Sequence, residues 1–153
     1  MTFEEMLEQN GFITYTNVGT SMLPLLREHR DIMMIRRRGE QRLKKLDAVL
    51  FVRPHVEGRG RYVVHRILRV CEDGYWIVGD NCVSGEHVKE DQVIGILTGV
   101  IRDGKKVRFD SLRYRMYVCL WCAPYHLRFA LLRTKRFVRR AGSFVKRRIL
   151  RIR

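Results

Sequence analysis

Residues 111–153 contain no aspartate or glutamate, although they carry 13 of the 31 lysines and arginines. All 16 acidic residues lie in residues 1–110, together with the remaining basic residues. The formal net charge of +15 therefore comes mostly from the C-terminal segment and not from a basic surface spread over the chain. This distribution does not predict a sequence-specific nucleic-acid partner.

The sequence also lacks long apolar runs, a secretory signal and a regular cysteine framework. No stretch approaches the roughly 20 apolar residues that span a bilayer, and the acidic start, Met1–Met6, lacks the basic-then-apolar order of a signal peptide. We therefore expect a cytoplasmic protein whose four cysteines are free thiols. Cys119 and Cys122 have C-x-x-C spacing, but no second ligand pair follows them, so neither a metal nor a cofactor is predicted.

The region up to residue 110 is predicted to be one mainly β domain. A short helix is expected at 3–10, ended by Gly11. Short segments rich in β-branched and aromatic residues then follow, separated by turn formers; they lie at 12–15, 32–35, 48–52, 62–70, 75–78, 93–101 and 107–109. Asp73-Gly74 and Asp103-Gly104 predict hairpin turns. Because no helices intervene, we expect an antiparallel, partly closed β-structure.

Residues 111–153 are predicted to form a basic amphipathic helical tail. Apolar or small residues recur three or four positions apart and arginine or lysine fills the positions between them; the recurring residues are Leu127, Leu131, Thr134, Val138, Ala141, Val145 and Ile152. Pro124 should separate this helix from the apolar segment 116–123. The stripe could lie in an anionic membrane surface or pack on the β-domain.

Three segments hold the residue types of a serine hydrolase. Ser21, between Gly19 and Pro24, could be a nucleophile, which needs a nearby base and donors for the oxyanion. His65 lies in an apolar β-run, where a neutral imidazole could accept the serine proton. A carboxylate could orient that imidazole; the nearest in sequence are Asp80, Glu86 and Asp91. Taken singly, each of these residues also fits a turn or a packed strand.

The order of several short motifs resembles the type I signal peptidases and related S24/S26 serine peptidases. Gly19-Thr-Ser-Met-Leu-Pro24 resembles the G-x-S-M-x-P box around the family's nucleophile. Four further segments are similar to the following family boxes, in the same order; they are Arg30-Asp31, Leu46–Phe51, Val64–Ile67 and Val78–Asn81. Val64-His-Arg-Ile67 matches the endoplasmic-reticulum-type branch, in which histidine replaces the lysine base. The resemblance covers about residues 11–109.

This resemblance implies a signal-peptidase β-fold and a Ser21–His65 hydrolytic site. Glu86 aligns best with the acid of the histidine-containing branch, and Asp80 is its rival. Gly19 stands where many bacterial members have a serine that helps bind the oxyanion, so Thr20 or backbone N–H groups, including that of Ser21, would take this role. Met22 and Pro24 complete the box as expected oxyanion or substrate-binding positions.

We therefore expect a serine endopeptidase that removes a leader or signal-like segment from a precursor peptide, using no cofactor. The tail would hold it peripherally at the inner face of the membrane, since each cation near an anionic surface contributes about 1 kcal/mol. A catalytically silent peptide-binding module of the same fold is the alternative. A self-cleaving DNA-bound repressor fits less well, because only about ten residues precede the β-region and a recognition helix needs more.

Overall fold

The structure is a computed structural model that describes the backbone of residues 1–150 and the side chains of residues 1–140 other than Arg59. Helix α1 spans Phe3–Asn10 and precedes all strands. Eight strands follow: β1 Phe12–Thr16, β2 Asp31–Arg37, β3 Ala48–Val52, β4 Tyr62–Cys71, β5 Gly74–Val78, β6 Gly85–Lys89, β7 Val93–Arg102 and β8 Lys105–Val107. Helices α2, Leu112–Tyr117, and α3, Tyr125–Leu150, follow the strands.

The eight strands form one antiparallel sheet in the order β1-β2-β7-β3-β4-β5-β6, with β8 paired to β7. The prediction of a mainly antiparallel β-fold with a C-terminal helix is confirmed. The sheet is not closed, because β1 and β6 lie at opposite ends of the strand order and are not paired with each other. Among the strands that the structure describes, each of these two has one edge without a partner strand.

Two apolar clusters lie on opposite faces of the sheet. Along β3 the residues alternate between them, since Leu50 belongs to one cluster and Val49 and Phe51 to the other. The first cluster includes Leu7 of α1 and Met22, Leu25 and Leu26 of the loop after β1. The second lies over β4 and β5. The loop that carries the candidate nucleophile is therefore fixed to the sheet by buried side chains.

Local sequence signals explain the boundaries of α1 and the two predicted hairpins. Thr2 and Glu5 form a capping box at the start of α1, and Gly11 ends it with a φ of +75°. Cys71 pairs with Gly74 across the β4–β5 turn. Asp103 and Gly104 both have positive φ at the β7–β8 turn.

Two strand predictions need correction. Strand β6 was not predicted, because Gly85–Lys89 contains a single buried residue, Val88, among charged and polar neighbours. Such a pattern is typical of an edge strand with one partner. The last predicted strand, 107–109, lies instead at Lys105–Val107, because the ladder with β7 begins directly after the two-residue turn.

The tail begins with α2 and a π-helical turn, Val118–Cys122, and continues as α3 after Pro124. The predicted break at Pro124 is confirmed. Tyr117, Trp121 and Arg128 of the tail contact Asp80, just after β5. Arg128 and Leu132 are buried, and Tyr117 and Trp121 are half-buried. No helix within residues 1–150 is long and apolar enough to cross a membrane.

The predicted apolar stripe on α3 does not face the sheet. Leu127 is 61% exposed, Leu131 54% and Val138 61%, whereas the neighbouring residues Arg128 and Leu132 are buried. The side chains of Ala141 and Val145 and all of Ile152 lie outside the described residues. The described part of the stripe is therefore free to meet another surface.

Candidate active site

The Ser21 loop connects β1 to β2 and is held by hydrogen bonds on both sides. The buried side chain of Asn17 donates to the carbonyl oxygen of Gly19 at 3.0 Å. The backbone N–H of Asn81 donates to the carbonyl oxygen of Ser21 at 2.8 Å, and the Asn81 side chain donates to that of Thr20 at 3.1 Å. The Gly-Asp-Asn segment after β5 therefore holds the Ser21 loop in place through these hydrogen bonds.

His65 lies in the middle of β4, opposite Val49 of β3. Its side chain is 8% exposed. Because alternate residues of a strand point to opposite faces, His65 shares a face with Ile67 of the second apolar cluster, and Arg66 points to the other face. A buried imidazole on this face meets the short segment that follows β5.

The backbone of Ser21 and the imidazole of His65 converge on Gly79. A methyl group placed on Cα of Gly79 would lie 2.6 Å from the carbonyl oxygen of Ser21, 2.9 Å from Sγ of Cys82 and 3.0 Å from Nε2 of His65. Because both atoms lie within 3.0 Å of this methyl position, the Ser21 carbonyl oxygen and Nε2 of His65 are close neighbours. Among the described residues, no hydrogen bond joins the Ser21 hydroxyl to His65, and such bonds often tighten only when substrate binds.

The other imidazole nitrogen of His65 faces Glu86 on β6. The distance from Nδ1 to Oε1 of Glu86 is 3.7 Å, too long for a hydrogen bond, and this buried Nδ1 has no described partner. Arg53, directly after β3, binds Glu86 with both ends of its guanidinium, at 2.9 Å from Nε to Oε2 and 2.6 Å from Nη2 to Oε1. Glu86 is therefore shared between an arginine and the candidate base.

Burial lowers the pKa of His65 to about 4, because the imidazolium would be removed from water. The negative charge of Glu86 opposes this shift, and the positive charge of Arg53 adds to it. The imidazole is therefore neutral near pH 7, the protonation state that a general base requires. A base with so low a pKa is also weak until a nearby negative charge supports the proton it takes up.

Asp80, the rival carboxylate, is fully buried on the tail side of the sheet. Its oxygens accept hydrogen bonds from Arg66 at 2.8 and 2.9 Å and from the Tyr117 hydroxyl at 2.5 Å. Arg128 of α3 lies 3.5 Å away, and Trp121 donates to the Asp80 carbonyl oxygen at 3.1 Å. The carboxylate is thus engaged by three side chains, and no described hydrogen bond joins it to His65.

The remaining predicted site residues surround Ser21 in distinct ways. Gly19 has a φ of +113°, a conformation that favours glycine, and a methyl group there would meet nothing within 4 Å. Thr20 and Pro24 are exposed, whereas Met22 is buried and accepts a weak hydrogen bond from the Asp80 N–H. Asp91 is exposed in the turn before β7 and has no described contact with His65. Within the described chain, the N–H of Ser21 donates to no protein acceptor and is free to serve an oxyanion.

Two neighbours of the site were missed in the sequence. The β3–β4 register pairs Val49 with His65, and two-residue alternation then places Arg53 on the same face as His65; this signal needs a register that the sequence alone does not give. Cys82 approaches the Ser21 carbonyl oxygen at 4.0 Å, and burial raises the pKa of its thiol. No group of three or more side chains suited to a metal ion occurs among the described residues.

No protein-family profile matches the chain, and no curated protein shows significant similarity to it.

Proposed function

We propose that the protein is a serine endopeptidase in which Ser21 is the nucleophile and His65 the general base. The observation that carries the proposal is the convergence of the Ser21 backbone and Nε2 of His65 on Gly79. The Nδ1 side of the same imidazole faces a carboxylate, as a triad requires. The resemblance of five ordered segments to the signal peptidase boxes gives independent support.

The reaction follows from these positions. The Ser21 hydroxyl attacks the peptide carbonyl and transfers its proton to Nε2 of His65, while the Ser21 N–H faces the developing oxyanion. His65 then gives this proton to the leaving amine, and an acyl-serine remains. A water molecule then attacks that ester and gives a proton to His65, which passes it to the Ser21 oxygen as the acyl bond breaks, releasing the acid product and the free serine. Glu86 stabilises the transient imidazolium from the Nδ1 side.

The substrate is proposed to be an extended segment of a precursor peptide. Strand β1 has a free edge, and its chain continues directly into the Ser21 loop. An extended peptide that pairs with this edge would be led to the nucleophile by backbone hydrogen bonds. Cleavage of a leader or signal-like segment is the activity that the family resemblance implies for such a groove.

A catalytically silent peptide-binding module is the second candidate. The two hydrogen bonds from Arg53 to Glu86 favour it, because they hold the carboxylate 3.7 Å from His65. A fluorophosphonate probe, which modifies activated serines, separates the two functions. The enzyme requires labelling that is lost in both Ser21→Ala and His65→Ala. Absence of labelling in the unaltered protein at pH 7–9 refutes it and favours the module.

We also propose that the tail holds the protein peripherally on an anionic membrane at its cytoplasmic side. The exposed residues Leu127, Leu131 and Val138 could enter the acyl boundary while neighbouring cations meet the headgroups. Deleting residues 141–153 removes five cations and keeps every described tail contact with the sheet. This deletion, or Leu127→Ser with Val138→Ser, should reduce flotation on phosphatidylserine vesicles. Unchanged flotation in both variants, or none of the unaltered protein, ends the membrane proposal.

A further inference from the structure

A cleft of about 680 Å³ lies between the Ser21 loop and the tail. Thr20 and Asn81 form its end nearest the nucleophile, and Asn81 donates the hydrogen bonds described above to the carbonyl oxygens of Ser21 and Thr20. The cleft therefore begins within one residue of Ser21. Its other walls come from the tail and from Leu23 and Pro24; the tail residues are Trp121, Leu131, Leu132, Lys135, Arg136 and Arg139.

All the charged side chains that line the cleft are basic. It contains three cations and no carboxylate, together with an apolar floor that includes Trp121 and Leu132. The guanidinium of Arg136 donates to the carbonyl oxygen of Asn81 at 3.3 Å, which fixes this part of α3 beside the Ser21 loop. Lys135 and Arg139 form no ion pair with any described residue. Their charges are available to a ligand.

We propose that this cleft is a substrate subsite for an acidic stretch of peptide, with its carboxylates on Lys135 and Arg139 and an apolar side chain against Trp121. Its role in cleavage rests on the proposed peptidase function; its binding preference does not. The tail would then be part of the substrate site in addition to its proposed contact with membrane. The apolar floor and the position next to Ser21 favour a peptide over a nucleic-acid strand.

The spacing of the two cations indicates the substrate pattern. Lys135 and Arg139 are four residues apart on α3, a rise of about 6 Å. In an extended peptide, residues two apart point to the same side and lie roughly 6.6 Å from each other. Two acidic residues separated by one residue, Asp-x-Asp or Glu-x-Glu, therefore match the pair of cations.

Binding to the Ser21→Ala protein tests the subsite without cleavage. Fluorescein-labelled decapeptides, rich in alanine and leucine, carry Asp-x-Asp at each register in turn and are compared with their Asn-x-Asn counterparts by anisotropy at low salt. At the best register the acidic peptide should bind about 2- to 30-fold more tightly, the effect of two exposed ion pairs. Lys135→Gln with Arg139→Gln should remove this advantage, and the matched control, Arg115→Gln with Arg133→Gln, should keep it.

Equal binding of acidic and neutral peptides overturns the subsite, and so does an equal loss in the control variant. If an oligo(dT) strand binds through Lys135 and Arg139 and the acidic peptides do not bind, the assignment of the cleft to peptides is wrong. Failure of the peptidase proposal looks different, because Ser21 then resists the fluorophosphonate probe while the acidic preference persists. If Ser21 is labelled but acidic peptides are not preferred, the peptidase proposal stands and the subsite proposal is wrong.

Discussion

Arg128 and Asp80, 48 positions apart along the chain, form a buried ion pair that joins the tail to the sheet, with Nη1 3.5 Å from Oδ1. Arg128 is 1% exposed and Asp80 is fully buried. A charge removed from water in this way needs its partner, because an unpaired buried ion costs several kcal/mol. The start of the tail is therefore tied to the β-domain by a buried contact.

The first prediction concerns this ion pair. Asp80→Asn leaves Arg66 and Arg128 without their common anion and should lower the free energy of unfolding by about 3–5 kcal/mol in urea denaturation. Asp73→Asn is the matched control, because Asp73 is exposed and pairs with His87 at the surface. Its effect should stay within about 0.5 kcal/mol. Similar losses in both variants would show that the buried network does not stabilise the fold.

A second prediction tests the approach of Ser21 to His65. In Gly79→Ala the added methyl group meets the Ser21 carbonyl oxygen and Nε2 of His65 at distances that force one of them to move. A displacement of this kind should slow fluorophosphonate labelling by about 10²-fold. Gly39→Ala is the control, since a methyl group there meets nothing within 4 Å. Normal labelling of folded Gly79→Ala would mean that the reactive geometry does not depend on this contact.

The third prediction concerns the pH dependence of labelling. Below its pKa, His65 is protonated and cannot act as a base, so the rate should fall on the acid side with a midpoint near the lowered pKa of about 4. Arg53→Gln removes a positive charge that lowers this pKa and releases Glu86, and both changes favour the imidazolium. The midpoint should therefore move upward, toward the ordinary value near 6.5.

The control for this experiment is Arg61→Gln. Arg61 pairs with Glu4 and makes no described contact with Glu86 or His65, so its removal should leave the acid midpoint unchanged. An unchanged midpoint in Arg53→Gln, or a shift to lower pH, would contradict the assignment of His65 as the base that Arg53 influences.

A fourth prediction distinguishes the carboxylates. Glu86→Gln keeps the shape of the side chain but removes the charge that faces Nδ1, and should slow labelling by about 10²-fold or more. Asp91→Asn should have no effect, because Asp91 is exposed and away from the imidazole. Asp80→Asn should reduce labelling only through the unfolded fraction. If Asp80→Asn slows the folded protein more than Glu86→Gln, the orienting role belongs to Asp80.

The sequence was sufficient for elements with strong local signals. Helix α1, bounded by Thr2 and Gly11, and the hairpin turns at Asp73-Gly74 and Asp103-Gly104 depend on residues next to each other in the chain. Strand β6 has no such signal, because its polar residues gain their β-conformation only from pairing with β5. Tertiary pairing determined this strand, and no local propensity could show it.

In the tail, the spacing of apolar residues did not identify the buried face of α3. The apolar stripe through Leu127 and Leu131 was read as the face that would be buried if α3 packed on the sheet, but the buried residues are Arg128 and Leu132, one position further along. On the buried side of the helix, Arg128 lies 3.5 Å from the buried carboxylate of Asp80, which also pairs with Arg66. No pattern within the tail itself contains that information.

The sequence alone suggests members of the candidate site but not the contacts between them. Ser21, His65 and Glu86 were named from the sequence, and the structure brings the Ser21 backbone and the His65 imidazole together and places Glu86 on the other side of the ring. The hydrogen bonds from Arg53 to Glu86 depend on strand register, and those from the tail to Asp80 depend on how the helix packs. These are properties of contacts between distant segments.

The burial of Asp80 beneath the tail has a consequence for how such chains diverge. Substitution at Tyr117, Trp121 or Arg128 changes the surroundings of the Gly-Asp-Asn segment that holds Ser21. Substitutions in the tail should therefore covary with substitutions in that segment. A descendant that lost the tail would have to acquire other donors for the same aspartate or replace it with an apolar residue. Paired substitutions at these positions would therefore record the shared history of the tail and the β-sheet.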